Sequence, residues 1–260
     1  MGTPVHFYAE KQLRDPILVL CYAGWNDGGD AATTAGRFLL EAFSATPLAY
    51  IDSEEFLDFT VVRPQVRQDE ENGRSIKWPD LELFSIQIES QPFDLVVGLG
   101  VEPHLRWKAY TRALLEFVER SGVRMVILLG ALLDEVIYSQ PVQVSGFAEN
   151  PELRKRLGFS RSTYEGPTGI VGVLSEAIRN TGVETLSLWA RLPHYVAQTP
   201  YTRASLALLQ KLEEITNFPI DLTPLQAKAA EFDQAVSEMI AGDPQLSAYV
   251  RELKRRAFSQ

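Results

Sequence analysis

Polar side chains that could bind a ligand or move a proton gather at a few turns of the sequence. The glycine-rich turn at residues 24–30 carries Asn26 and Asp27, and such turns hold phosphate when they open a helix. Here, however, Asp27 and Asp30 would face that phosphate, and the glycine spacing matches neither the P-loop nor the dinucleotide-binding pattern. Two interpretations remain open: Asp27 caps the following helix, or this corner binds a polar ligand or metal.

Two further turns carry four more candidates. In residues 164–170, Glu165 and Thr168 precede an apolar helix, so Thr168 could cap that helix or line a ligand site. Glu102 and Arg106 lie four residues apart at the start of another predicted helix. They could clamp a ligand together or form an ordinary ion pair along the helix.

The last candidates are His194 and its neighbour Tyr195, which follow a predicted strand. His194 could act as an acid or base near neutral pH, although a lone histidine beside a proline is also a common structural residue. His6 and His104 have no second ligand at metal spacing, and Cys21 is the only cysteine. No metal site is therefore predicted. No catalytic set emerges, the cofactor is unknown, and the question of enzyme activity stays open.

The elements that must position these turns alternate between strand and helix. Short apolar runs and segments of helical periodicity predict an α/β fold with a mostly parallel central sheet. The predicted strands are 17–21, 48–51, 94–100, 123–129 and 185–189, and the predicted helices are 31–43, 104–120, 170–178 and 203–216. Proline and glycine predict an irregular segment at 131–160. Because carboxyl ends of parallel strands meet at one edge, the polar turns are expected to form one pocket there.

Two segments depart from this alternation. Residues 56–90 are predicted to form an antiparallel insertion, with strands at 59–62 and 83–88 and a turn at Asn72-Gly73. Thr223 is predicted to cap a helix that ends near Gly242 and leads into a second helix. The expected domains are therefore 1–220, an α/β/α domain with the insertion, and 221–260, a C-terminal helical hairpin. The hairpin packs either on this body or on a partner subunit.

Composition excludes several classes of partner. The 260 residues are 45% hydrophobic and 23% charged, which is typical of a packed globular protein. A net charge of −9 argues against nucleic acid and anionic membranes as partners. No apolar run is long enough for a membrane span, and no secretory signal is visible. A cytoplasmic location is expected.

Four motifs, taken together, resemble a known family. They are residues 23–32 (AGWNDGGDAA), 105–107 (LRW), 164–170 (YEGPTGI) and 187–196 (SLWARLPHYV). The chain resembles the proteasome assembly chaperone two family, in particular its actinobacterial branch of uncharacterised proteins. The resemblance implies a three-layer α/β/α core similar to the phosphorylase/hydrolase-like fold, with a C-terminal helical extension. It also implies a homo-oligomer, for which a trimer is one candidate, and a proteasome-related protein partner.

One feature departs from that family. Proteasome-docking relatives often end with a tyrosine at the penultimate position, whereas this sequence ends in residues 256–260 (RAFSQ). Docking through the tail is therefore in doubt, and docking through a surface face remains open.

Two functional hypotheses follow. In the first, the chain is a non-catalytic, oligomeric, chaperone-like interaction protein with a large apolar interface. In the second, it is a small-molecule-binding protein or an enzyme whose pocket lies at the carboxyl ends of the strands. That pocket would bring together eight side chains: Asn26, Asp27, Glu102, Arg106, Glu165, Thr168, His194 and Tyr195.

Overall fold

A large sheet forms the centre of the protein in a computed structural model, which describes residues 4–9, 11–69, 73–196 and 199–257. The strands are β1 (Val5–Phe7), β2 (Ile17–Ala23), β3 (Thr46–Ile51), β4 (Gln65–Asp69), β5 (Gly73–Lys77), β6 (Leu81–Ile86), β7 (Leu95–Val101), β8 (Met125–Asp134), β9 (Val144–Ala148) and β10 (Glu184–Pro193). The helices are α1 (Ala31–Ala42), α2 (Trp107–Arg120), α3 (Pro151–Leu157), α4 (Ile170–Arg179), α5 (Thr202–Thr216), α6 (Thr223–Gly242) and α7 (Pro244–Ala257).

Eight of the described strands pair in the order β1-β3-β6-β7-β2-β8-β10-β9. The central strands β7, β2, β8 and β10 run parallel, and antiparallel pairs flank them on both sides. Since β6 is antiparallel to both β3 and β7, β3 points the same way as the parallel strands. The carboxyl ends of β3, β7, β2, β8 and β10 therefore share one edge of the sheet, called here the carboxyl edge. The predicted mostly parallel sheet is confirmed.

Strand β2 shows why the sheet carries helices on both faces. Ile17, Val19 and Cys21 pack into one apolar cluster, and the alternate residues Leu18 and Leu20 pack into the other. A strand buried on both faces is a continuous apolar run, as in this segment. Helices α1, α5, α6 and α7 contribute to the first cluster, and α2 and α4 to the second. The protein thus has the predicted three layers, α/β/α.

The structure differs from the prediction within residues 56–90. Residues 59–62 form turns rather than a strand. The segment predicted at 83–88 is β6, which belongs to the large sheet between β3 and β7. The antiparallel hairpin consists of β4 and β5 instead, with Val66 directly opposite Ile76. Asn72 of the predicted Asn-Gly turn lies outside the described residues.

The segment predicted to be irregular, 131–160, contains the end of β8, all of β9 and α3. Gly146 does not break β9, in which it pairs with Leu188 of β10; the ring of Phe159 occupies the space where a side chain would stand, 2.2 Å from an added Cβ. Asn150 caps α3: its Oδ1 accepts hydrogen bonds from the amides of Glu152 and Leu153 at 2.9 and 3.2 Å.

The C-terminal helices pack on the body of the same chain. Phe232 of α6 lies edge-on to Tyr201, with the ring centroids 4.7 Å apart. The predicted cap at Thr223 is wrong: its amide instead donates to Asp221 Oδ1 at 3.0 Å. Asp243 accepts from two amides at the start of α7. Residues 258–260, which include the unusual tail, lie outside the described residues.

None of the described helices combines the length and the apolar character that crossing a bilayer requires.

An ion pair between the buried Asp94 and the half-exposed Arg14 holds the segment before β2. The Asp94 carboxylate accepts from the Arg14 amide, from Arg14 Nε and Nη2, and from Gln87 Nε2, at 2.6–2.9 Å. Burial of Asp94 opposes its ionisation, but these hydrogen bonds outweigh burial and hold the pKa of the carboxyl below its usual value. Ionised Asp94 therefore stabilises the fold, because its pKa is lower in the folded than in the unfolded state.

We predict that Asp94→Asn lowers the free energy of unfolding at pH 7 by roughly 1.5–3 kcal/mol, since charge-assisted hydrogen bonds are lost. The Asp94 contribution is present above the unfolded pKa, near 4, and disappears as pH falls through the lowered folded value. Urea denaturation from pH 7 to pH 2 should show a shallower acid loss in the variant than in the wild type. The exposed Glu89→Gln is the control; an acid limb unchanged by Asp94→Asn would contradict the assignment.

Candidate functional site

The glycine-rich corner after β2 uses its carboxylate to start α1. Asp27 Oδ1 accepts from the amide of Ala32 at 2.6 Å, and its Oδ2 accepts from the Thr33 hydroxyl at 2.6 Å. Gly29, at φ 58°, lets the chain turn between them. Burial raises the pKa of Asp27 above its usual value, and the hydrogen bonds from Thr33 and Ala32 only partly offset it. The capping interpretation of Asp27 is confirmed.

Glu102, which follows β7, joins three segments of the chain. Its Oε1 accepts from Asn26 Nδ2 at 3.0 Å and from the amide of Ile170 at 2.7 Å. Its Oε2 accepts from the amide of Trp25 at 3.2 Å. Glu102 is therefore the carboxylate at the N-terminus of α4, supplied by a distant strand, where it also meets the positive end of the helix dipole.

This arrangement corrects two predictions. Thr168 does not cap α4: the N-cap position is Gly169, and the Thr168 hydroxyl donates to the Gly169 carbonyl at 3.4 Å. Glu102 and Arg106 do not form a pair along a helix, because α2 begins only at Trp107 and the Glu102 carboxylate is bonded to Asn26 and Ile170. Arg106 instead forms an exposed ion pair with Glu55 at 2.6 Å.

His194 and Tyr195 belong to an aromatic cluster with Tyr249 of α7. The three ring centroids lie 5.5–5.7 Å apart. The Tyr195 hydroxyl donates to the Val136 carbonyl and accepts from the Tyr138 amide, both at 2.9 Å. Burial raises the pKa of Tyr195. The cluster fastens α7 to the loop after β8, which is a structural arrangement.

A cleft of about 910 Å³ opens at the carboxyl edge and runs beside α4 across β10 and β9; it is called here the edge cleft. Its mouth carries four exposed apolar side chains, named the edge patch: Trp25, Leu132, Leu133 and Tyr164. Trp25, Leu133 and Tyr164 are 65%, 58% and 67% exposed. Deeper in the cleft lie Phe147 and Trp189, and Glu149, Glu176 and Arg179 stand at the far end.

The eight predicted side chains do not converge in this cleft. Asn26 and Thr168 line it. Asp27 and Glu102 lie at the same corner with their carboxylates engaged in helix starts. Arg106, Glu165, His194 and Tyr195 do not line it, since Arg106 and the aromatic cluster have partners elsewhere and Glu165 is exposed in its loop. Among the described residues, no group of three or more His, Cys, Asp or Glu side chains is placed to hold a metal.

Sequence reasoning missed most of the residues that line the edge cleft. Phe147 lies in β9, within the segment predicted to be irregular, and Leu132 and Leu133 extend β8 beyond its predicted end. The signal available was the unbroken apolar run from Met125 through Leu133, in which Gly130 makes room for the Trp189 ring.

Comparison with known proteins identifies the family of this chain. The sequence model of the PAC2 family matches residues 21–240, and the chain belongs to that family. It is similar to a PAC2 family protein from Streptomyces avermitilis MA, with 40% identity, a TM-score of 0.85 and coverage of 91% of this chain and 100% of that one. No curated protein matches the chain significantly.

Two further solved structures extend this likeness. A proteasome-assembly chaperone homologue from Mycobacterium tuberculosis has 35% identity and a TM-score of 0.81, over 90% of this chain and 99% of that one. An archaeal proteasome activator from Pyrococcus furiosus has 18% identity and a TM-score of 0.74, over 90% of this chain and 97% of that one, and shares the fold.

We predict that Glu102→Gln lowers the free energy of unfolding by roughly 1.5–3 kcal/mol, because an amide cannot accept from all three donors at once. Hydrogen exchange should accelerate at the amides of Trp25 and Ile170, the two backbone donors to this carboxylate. The exposed Glu165→Gln in the adjacent loop is the matched control and should leave both amides unchanged. Unaltered exchange in Glu102→Gln would show that the carboxylate does not hold the corner.

We predict that Gly169→Ala costs about 1–3 kcal/mol by overpacking, since an added Cβ would stand 2.0 Å from Asn26 Nδ2. Gly169 has φ −91°, so backbone strain contributes nothing. Asn26→Ala should relieve part of this cost, and urea denaturation of the double-mutant cycle measures the coupling. Gly242→Ala, with no neighbour within 4 Å, is the control. Strictly additive costs would contradict the predicted contact.

Proposed function

We propose that this chain is a non-catalytic, oligomeric interaction protein with a chaperone-like role toward a proteasome-related protein partner. The proposal rests on the contrast between the polar and the apolar side chains at the carboxyl edge. The polar groups Asp27, Glu102 and Asn26 bond to the protein itself, whereas Trp25 and Tyr164 are exposed to solvent. Contiguous exposed apolar side chains typically mark protein-binding surfaces.

The relatives also support a chaperone-like interaction role. The Mycobacterium tuberculosis relative is described as a proteasome-assembly chaperone homologue, and the Pyrococcus furiosus one as a proteasome activator. The 40% and 35% identities favour the actinobacterial branch. We assign partner binding to the edge patch, because its apolar side chains are exposed. Cys21 is a free, buried thiol, which is compatible with the reducing cytoplasm.

A second candidate is a small-molecule-binding protein that uses the edge cleft. Its volume of about 910 Å³ falls within the range of ligand pockets, and its walls are mainly apolar with a few polar groups. Asn26 and Thr168 are the predicted site residues that line it. A thermal-shift screen separates the candidates, since a ligand at 100 times its dissociation constant stabilises the fold by roughly 2.7 kcal/mol.

We predict that Trp25→Ala combined with Leu133→Asp weakens binding to purified proteasome α-subunits by at least about tenfold, or about 1.4 kcal/mol. The change removes apolar contact area from the edge patch and adds a charge there. Biolayer interferometry on immobilised α-subunits gives the dissociation constants.

The matched control is Tyr8→Ser, which alters an exposed aromatic residue just after the edge strand β1, outside the edge patch; it should bind like the wild type. A wild-type protein without affinity for α-subunits, or a patch variant with full affinity, would overturn the proposal.

A further inference from the structure

A cavity separate from the edge cleft opens at the carboxyl ends of β8 and β10. Its walls come from the loop 135–143, from the last residues of β10 and from the end of α7, and its volume is about 350 Å³. It is called here the α7 pocket. Ligands of open α/β sheets usually bind outside the carboxyl ends of the strands, and this volume falls within the range of small-molecule sites. Position and size therefore suit a small ligand.

Backbone carbonyls around the α7 pocket already accept hydrogen bonds from the protein. Arg203 donates to the carbonyls of Tyr138 and Gln140. The amide of Arg191 donates to the carbonyl of Gln143 at 3.0 Å. Because these three carbonyls have donors from the chain itself, the pocket favours a ligand that brings acceptors rather than donors.

A buried hydroxyl of the pocket lacks an acceptor. Tyr201 lines the pocket and is only 1% exposed. Its hydroxyl bonds to Arg203, and since a guanidinium only donates, the phenol proton has no acceptor among the described residues. Burial raises the pKa of Tyr201 to about 12, so the hydroxyl keeps this proton at neutral pH. Buried donors normally have a partner, and an acceptor on a ligand would provide one.

Two arginine side chains on the pocket wall have N–H donors to spare. Arg191 binds Asp134 through Nε and Nη2, and Arg256 binds Glu252 through Nε. A guanidinium carries five N–H donors, so Nη1 of Arg191 and both terminal nitrogens of Arg256 have no protein partner within the described ranges. The two side chains are 41% and 63% exposed, so water solvates these donors until a ligand replaces it. The two carboxylates balance the charge of the arginines without using these N–H groups.

The rest of the wall limits the ligand to one negative group. Ile137, Val142 and Leu253 provide apolar surface. Glu135 also lines the pocket, and its carboxylate bonds to the Tyr249 hydroxyl. A second anionic group on the ligand would be repelled by this charge, whereas an apolar body would pack against the aliphatic side chains.

We propose that the α7 pocket binds a small monocarboxylate with an apolar body. The carboxylate accepts from the Tyr201 hydroxyl and from the guanidinium groups of Arg191 and Arg256. Hydrogen bonds of this kind are charge-assisted and stronger than neutral ones. Since α7 supplies Leu253 and Arg256, a bound carboxylate also connects the C-terminal helices to the sheet. The site is separate from the edge patch and does not depend on the proposed partner.

Fluorine NMR with para-fluorobenzoate as the probe tests this site on the full-length chain. For a ligand of this size, a dissociation constant of about 1 mM or below is expected. The neutral isostere para-fluorobenzamide should bind at least about tenfold more weakly, because it cannot form the charge-assisted bonds. Inorganic phosphate should displace the probe only at a higher concentration than unlabelled benzoate does.

Variants assign the probe to the α7 pocket. Arg256→Gln should weaken binding about tenfold, whereas Arg255→Gln, the same change of charge at a neighbour that does not line the pocket, should stay within about twofold. Tyr201→Phe should also weaken binding about tenfold, while its ring keeps the contact with Phe232. Arg179→Gln changes a cation of the edge cleft and should have no effect. Circular dichroism verifies that each variant is folded.

Four results would overturn the proposal. They are a wild type that does not bind the probe, equal affinity for the amide and the carboxylate, phosphate that binds more tightly than benzoate, and equal losses in Arg256→Gln and Arg255→Gln. A loss in Arg179→Gln would place the probe in the edge cleft and would overturn it as well.

Discussion

The Glu102 carboxylate is the interaction on which the carboxyl edge depends. It receives the Trp25 amide, the Asn26 side chain and the first amide of α4, and so joins three segments that are distant in sequence. Such charge-assisted bonds are stronger than neutral ones. The close approach they impose leaves no room for a side chain at Gly169. The same geometry holds the Trp25 ring outward at the mouth of the edge cleft.

This use of polar groups decides how the edge is interpreted functionally. A carboxylate that accepts hydrogen bonds from helix amides contributes to folding. What remains exposed at the edge is largely apolar, which suits recognition of protein surfaces. The fold alone could not establish this, because related α/β/α folds host unrelated functions. The conclusion therefore depends on the hydrogen bonds of Asp27, Asn26 and Glu102.

Sequence patterns predicted the features that local residues determine. The alternation from β2 to β3 follows from local apolar runs, and the capping interpretation of Asp27, one of the two that the sequence left open, depends on an amide only five residues along the chain. Sequence patterns could not predict the features that depend on distant partners. Glu102 accepts a hydrogen bond from the start of a helix 68 residues away, and Phe159 fills the space beside Gly146. For the same reason, the eight predicted site residues were expected in one pocket, although only Asn26 and Thr168 line the edge cleft.

The central claim is that the edge patch is a protein-binding surface exposed to solvent, next to a corner whose polar side chains form hydrogen bonds within the protein. Hydroxyl-radical footprinting of Trp25 and Tyr164, with and without proteasome α-subunits, tests it most directly. The account predicts rapid oxidation of both rings in the protein alone and protection when the subunits are added. Rings that are already protected in the protein alone, or that oxidise equally fast with the subunits present, would contradict it.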